Sequence, residues 1–198
     1  MSKVTNRRID FDDEGSIETA ACAAVQDGAL DLVIVTSGLL WEGERLRPEK
    51  SMRELDLQGL TRMFAVNAAG PALVAKHFLP RLRKRSKSLF ASLSARVGSI
   101  GDNRLGGWYS YRASKAALNM LLKTLAIEHA RQWPDSVVAG LHPGTVDTRL
   151  SQPYTSRTPK EALFSPEESA RYLLTVMNRL GPEDSGGLFA WDGSRIQY

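Results

Sequence analysis

A phenol and an amine stand four residues apart in Tyr111-Arg112-Ala113-Ser114-Lys115, near the start of a long helical pattern. On a helix that spacing stacks the two side chains on one face, about one turn apart. An ammonium beside a phenol favours the phenolate, so such a pair can give or take a proton near neutral pH. The spacing alone is common in proteins. It gains weight from Asn67 upstream and from His142-Pro143-Gly144-Thr145-Val146-Asp147-Thr148 downstream. What the sequence lacks ahead of these residues is a strand–glycine-loop–helix fingerprint for dinucleotides.

The elements that must position these groups follow from hydrophobic period and turn chemistry. Residues 7–11 read as a short strand running into the acidic cluster Asp10, Asp12, Asp13 and Glu14. Ser16 is placed to cap a helix to about Gln26, with Ile17, Ala20, Ala21 and Ala24 at helical spacing and Cys22 among them as a core residue. The continuous apolar run Leu32-Val33-Ile34-Val35 predicts a strand buried on both faces, ending in Thr36-Ser37-Gly38. A helix over residues 52–85, broken near Gly59, leads to a second strand over 88–93. After the glycine-containing loop 98–107 comes the strongest helix, 109–132, with Ala113, Ala116, Ala117, Met120 and Leu121 on one stripe. A third strand over 137–141 stops at Pro143-Gly144, and residues 151–164 read as a polar loop or lid. Ser165 caps a helix that opens on Pro166 and runs to about Leu180, and a short strand over 187–191 follows.

Strands alternating with helices predict an α/β fold: one domain over residues 1–198, with a Rossmann-like parallel sheet covered by helices on both faces. Ligands of such sheets bind outside the carboxyl ends of the strands. Thr36-Ser37-Gly38, Ser94 and His142-Pro143-Gly144 all follow strands, so they are expected to line one crevice.

Composition narrows the class. A chain of 198 residues suits a single domain, and its net charge of +4 fits an anionic small ligand but is too modest to argue for nucleic acid. The lone Cys22 allows no intramolecular disulfide and points to a reducing, cytoplasmic setting. No apolar run approaches a membrane span, and the N-terminus does not read as a signal peptide. His77, His129 and His142 have no metal-ligand spacing. The basic run Arg81 to Lys87 reads as a solvated helix end. Trp41, Tyr154 and Trp191 are candidate apolar walls for a pocket.

The ordered set Phe64-Ala65-Val66-Asn67, Gly106-Gly107-Trp108-Tyr109-Ser110-Tyr111-Arg112-Ala113-Ser114-Lys115 and Pro143-Gly144-Thr145-Val146-Asp147-Thr148 resembles the short-chain dehydrogenase/reductase family. The likeness is greatest to its C-factor-like and sniffer-like carbonyl reductases and runs from about Ile9 to the C-terminus. The resemblance implies an NAD(P)-dependent oxidoreductase that reduces a carbonyl or oxidises an alcohol. It implies that Tyr111 exchanges the proton, that Lys115 holds the cofactor ribose and favours the tyrosinate, and that Asn67 supports a water in the proton relay. Pro143, Gly144, Val146 and Thr148 would position the nicotinamide amide and the phosphates. Thr36, Ser37 and Gly38 would line the cofactor, and Asp10 would contact the adenine. It also implies a homodimer through the helices at 52–85 and 109–132.

The chain departs from the family pattern in three places. Val35-Thr36-Ser37-Gly38 stands where the family places Asn-Asn-Ala-Gly, so the Val35 side chain cannot hydrogen-bond. Ala95 occupies the place of the substrate-polarising serine; the adjacent Ser94 serves only if the strand has ended or bulged there. The family's first strand, glycine-rich loop, helix and second strand have no counterpart, and with them go the usual means of reading NAD against NADP. In the family's sheet order 3-2-1-4-5-6-7, the loss of strands 1 and 2 makes Leu32–Val35 a hydrophobic edge. Residues 7–11 sliding into the vacant slot, or a second chain, would then cover it. A different reading of the same gap is a non-catalytic binding or signalling module. A third is an open reading frame that extends upstream of Met1, which an in-frame strand and glycine loop there would reveal.

Overall fold

The acidic N-terminal cluster starts a helix. In the computed structural model, which describes residues 4–156 and 159–198, Asp13 accepts from the amide of Gly15 and caps α1, Glu14–Ala24. Residues 7–11 form no strand; the chain instead turns at Asp10, whose carboxylate takes Arg8 and the Asp12 amide. Ser16 therefore sits inside the helix and ties back to Asp10 and Asp13 through its hydroxyl. Cys22 is exposed, its Sγ 3.1 Å from Arg81 Nη2, rather than in the core.

β1, Leu32–Val35, follows as read from its apolar run. The expected helix over 52–85 is shorter and interrupted elsewhere. A 3-10 turn at Met52–Glu54 precedes α2, Leu57–Phe64, which Asp56 caps on Gly59; a π turn at Ala65–Ala69 leads into α3, Gly70–Phe78. The irregularity lies at Asn67 and not at Gly59, because the Asn67 side chain is engaged outside the helix. Isolated π turns commonly mark functional sites for that kind of reason. β2, Ser88–Leu93, precedes α4, Tyr109–His129, which ends a turn before the sequence pattern suggested. β3, Ser136–His142, is followed by the paired short strands β4, Thr145–Val146, and β5, Leu163–Phe164. α5, Pro166–Arg179, begins with the full capping box of Ser165 and Glu168. β6, Leu188–Ala190, and β7, Arg195–Ile196, close the chain; β7 is too short to show a pattern in the sequence.

The sheet runs β1-β2-β3-β6-β7, parallel through β6 with β7 antiparallel. One face carries α1, α3 and α4: Ile17, Val74, Phe78, Leu118 and Leu122 pack on Val35, Phe90 and Val138. The other carries α5: Leu173, Val176 and Met177 cover Leu89, Ala91, Val137, Ala139 and Leu141. The register pairs Leu32 with Leu89 and Ile34 with Ala91, so Leu32 and Ile34 belong to the α5 face. They remain 43% and 38% exposed. β1 is thus buried on one face only. Residues 7–11 do not pair with its outer edge, so the expectation that they move into that slot is not met. Among the described residues no helix is long and apolar enough to cross a membrane.

Candidate active site

Parallel strands deliver their carboxyl ends to one side of the sheet, and there Gly38, Asn67 and Lys115 come together. Asn67, fully buried in its π turn, is pinned by the backbone of the segment leaving β1. Its Oδ1 accepts from the Leu39 amide at 2.7 Å, and its Nδ2 donates to the Leu39 carbonyl at 2.8 Å and to Ser114 Oγ at 3.1 Å. That clamp fixes Gly38. A methyl built on Gly38 would stand 3.7 Å from Lys115 Nζ and 3.8 Å from Asn67 Oδ1, so the turn, the lysine and the asparagine share one small volume.

Tyr111 and Lys115 lie one turn apart on the inner face of α4, 8% and 3% exposed. Lys115 Nζ donates to the Leu93 carbonyl at 2.9 Å and stands 5.9 Å from the centre of the Tyr111 ring. Among the described residues the Tyr111 hydroxyl makes no hydrogen bond. Burial is the dominant influence on both groups and disfavours their charged forms. The Tyr111 phenol is pushed up to about 12 and the Lys115 ammonium down to about 8. The sequence-level idea that the ammonium makes the phenolate readily available is therefore offset by desolvation: at neutral pH the phenol holds its proton.

The wall around Tyr111 is apolar and aromatic. Leu40, Leu46 and Met63 are buried against it, with Leu39, Trp41, Ala95, Val97, Trp108 and Tyr154 partly buried alongside. Trp108 makes edge contacts with both Tyr111 and Tyr154. Of the three candidate walls, Trp41 and Tyr154 belong to this cluster. Trp191 packs instead with Phe164 and Tyr172 beneath Gly144. Gly144 has a φ of +79°, and a methyl there would come within 2.6 Å of Phe164 and 3.1 Å of Trp191, so the turn after β3 requires glycine. Trp41 spans the crevice, its Nε1 donating to the Leu150 carbonyl at 3.0 Å. Gly38, Leu39, Trp41, Glu42, Gly43, Arg149 and Leu150 enclose a cavity of about 390 Å³ there.

Other predicted residues are placed less simply. Ser94 lies just past β2, but its hydroxyl points toward α4 and donates to Asn119 Oδ1 at 2.6 Å. Ala95 is the residue that faces the Tyr111 cluster. Val35 is core, as its side chain requires. Ser37 Oγ, two residues past β1, is buried with no partner among the described residues. Val146 lies in β4, and the Thr148 amide is held by Ser151 Oγ at 3.3 Å. Asp10 is engaged with Arg8, Asp12 and Ser16 at the entry to α1. His142 is held neutral, its pKa pushed down to about 4 by burial, with Arg96 adding to the effect and Asp192 opposing it; its Nδ1 has no partner among the described residues. Ser114, Asn119 and the Leu39 backbone, which brace the site, carry no signal in the sequence beyond polarity at helical positions.

Gly98 sets how closely the 96–98 turn meets α4. A methyl on Gly98 would fall 2.8 Å from the Lys115 carbonyl carbon and 3.1 Å from the Ala116 nitrogen, both backbone atoms that cannot swing away. Gly98→Ala is expected to destabilise the chain by about 2–3 kcal/mol, the upper range for overpacking. Denaturant unfolding with an unchanged m-value is the check; a midpoint equal to wild type would contradict the close approach.

A profile of the family described as short chain dehydrogenase matches residues 2–159. Among characterised proteins, the chain is 32% identical over 173 residues to the C-signal of Myxococcus xanthus, covering 86% of this chain and 94% of that protein. It is 32% identical over 191 residues to a 1-hydroxy-2-glutathionyl-2-methyl-3-butene dehydrogenase of Rhodococcus sp. (strain AD45), covering 96% of this chain and 78% of that enzyme. Solved structures share the fold. The carbonyl reductase Sniffer of D. melanogaster superposes with a TM-score of 0.81 at 22% identity, over 96% of this chain and 77% of that one. The NADPH-bound carbonyl reductase from chicken fatty liver superposes with a TM-score of 0.81 at 26% identity, over 96% and 75%.

Proposed function

The chain belongs to the short-chain dehydrogenase/reductase family, a family of NAD(P)-dependent oxidoreductases, and on that premise we propose that it reduces a carbonyl group with Tyr111 as the proton donor. The observation that carries this reading is that Lys115 and Asn67 are buried beside Gly38 past the end of β1, with Tyr111 buried one helical turn from Lys115 on α4. A nicotinamide dinucleotide bound there would supply the hydride, or accept it in the reverse direction.

The residues present fit such a cofactor. Ser37 Oγ is a buried hydroxyl without a partner among the described residues, and Gly38 leaves open the space beside Lys115 Nζ. In this reading Thr36, Ser37, Gly38, Lys115, Pro143, Gly144, Val146 and Thr148 bind the cofactor, with Asp10 toward the adenine side. Asn67 acts by holding Leu39, and through it Gly38, against the crevice.

The protonation states fix which part Tyr111 plays toward a carbonyl. A phenol raised to about 12 is protonated at neutral pH and serves as a general acid toward a carbonyl oxygen. Lys115, lowered to about 8, is still charged at pH 7 yet releases a proton easily, which suits it to restore the phenol after each turnover. With Ser94 already donating to Asn119, polarisation of the substrate oxygen rests on Tyr111. The aromatic wall of Trp41, Trp108 and Tyr154 favours an apolar substrate.

We assign the exposed apolar residues Tyr109, Met120 and Ile127 of α4, with Leu57 and Phe64 of α2, to a face that meets a second copy. Sedimentation showing only monomer at every concentration would contradict this.

The enzyme reading is tested by following NADPH and NADH oxidation against a panel of aromatic aldehydes, ketones and quinones. Cofactor oxidation that depends on the carbonyl supports it. No oxidation with any member would leave the binding-module reading in its place.

A further inference from the structure

The N-terminus of α4 has no cap of its own. Gly106, Gly107 and Trp108 are three successive residues in the left-handed region, with φ of +64°, +63° and +52°. Trp108 occupies the capping position but has no side-chain oxygen with which to accept from the first turn. Helix starts of this kind need acceptors from elsewhere, and tryptophan in the left-handed region needs something to hold it there.

Both come from Glu49, about sixty residues upstream. Its carbonyl accepts from the Trp108 amide at 2.6 Å. Its carboxylate accepts from the Ser110 amide at 3.1 Å through Oε2 and from the Ser110 hydroxyl through Oε1. Glu49 is 5% exposed and Ser110 fully buried, so these bonds form away from competing water. Glu49 is braced in turn: Pro48 before it is buried, and after it the Lys50 amide donates to Glu54 Oε2 at 2.9 Å while Ser51 caps the following 3-10 turn.

Tyr111 is the next residue after Ser110, and Ser114 and Lys115 lie one turn further on. The segment that carries Glu49 also supplies Trp41 and Leu46 to the pocket wall. One buried carboxylate therefore joins the loop that shapes the pocket to the helix that carries the phenol. We propose that Glu49 is a positioning residue for Tyr111: by holding Trp108 and Ser110 it fixes where the phenol hydroxyl stands in the crevice. The proposal rests on the reading that Tyr111 is the proton donor.

The test compares the full chain with Glu49→Gln, Glu49→Ala and Ser110→Ala. Glutamine keeps the shape and one acceptor, so it is the variant that folds if alanine does not. With NADPH and 9,10-phenanthrenequinone as the probe, Glu49→Ala is expected to lower kcat about 10- to 100-fold, the size of loss that misplacement by about an ångström produces. KM for NADPH should stay within about twofold, and Glu49→Gln should recover a large part of kcat. A second readout does not depend on turnover: the ring ζ-carbon resonance of Tyr111, assigned through Tyr111→Phe in tyrosine-labelled protein. It should shift in the order alanine, then glutamine, while the other tyrosines far from α4 stay in place. If the wild type turns over no carbonyl, the proton-donor reading fails and the resonance alone decides the positioning. An unmoved Tyr111 resonance overturns the proposal, as does a KM that rises while kcat is unchanged.

Discussion

Tyr111→Phe is expected to lower cofactor-dependent turnover by about 10²–10⁴-fold, the range for removing a positioned general acid, while changing stability by less than about 1 kcal/mol. The two halves of this result have different origins. Phenylalanine keeps the buried ring and its edge contact with Trp108, 6.1 Å between centres. Only the hydroxyl is lost, and it makes no hydrogen bond to the described residues, so the fold gives up little. A tyrosine serving only as packing would leave turnover intact. Steady-state kinetics beside a thermal melt of the same preparation separate the two roles, and retained turnover would remove Tyr111 from the mechanism.

Lys115→Met is expected to make the protein more stable and less active at once. Burial depresses the lysine from its ordinary value of 10.5 to about 8. A depression of that size corresponds to about 3 kcal/mol of penalty for keeping the charge in the fold. Methionine removes the penalty and fills a similar volume. It also removes the donor to the Leu93 carbonyl, which takes back about 1–2 kcal/mol. The net gain should be about 1–2 kcal/mol at pH 7. The sign of the pH dependence follows from the direction of the shift. With the folded value below the unfolded one, the unfolded chain holds more protons between about pH 8 and 10.5, so wild-type stability rises across that window. Tyr111 acts in the opposite sense, but only above its ordinary value of 10, because its folded value is raised. Denaturant midpoints at pH 7 and pH 9.5 should therefore differ more in wild type than in the variant. Equal pH dependence in the two proteins would mean that Lys115 is not the buried charge described here.

Much of this arrangement was legible in the sequence because it depends on local period and order. The strand at Leu32–Val35, the capping box at Ser165 and the one-turn spacing of Tyr111 and Lys115 are all local patterns. Asn67 stands out in the sequence through the family motif, and it shares one small volume with Gly38 and Lys115. What could not be read depends on contacts distant in sequence. Whether β1 is covered on both faces is decided by where α5 lies, and an apolar run reads the same in either case. Cys22 sits among alanines, as core residues do, yet its side of α1 faces outward toward Arg81. Glu49 lies in a polar stretch between Glu44 and Glu54 and resembles any solvated loop glutamate; its burial comes from α4 closing over it. Ser94 stands just past the end of β2, and its bond to Asn119, 25 residues away, has no local pattern that announces it. The break in the second helix was legible as a fact but misplaced, because Gly59 is the more visible irregularity, whereas Asn67 bonds across to Leu39.

The proposal that Ser37, Gly38, Asn67, Tyr111 and Lys115 take a nicotinamide dinucleotide can be tested without a substrate. The most direct measurement is a fluorescence titration of the purified chain with NADPH and with NADH, alongside Lys115→Ala. Saturable binding in the micromolar range is expected for wild type, lost or greatly weakened in the variant. Absence of binding at millimolar cofactor, or equal binding by both proteins, would contradict it.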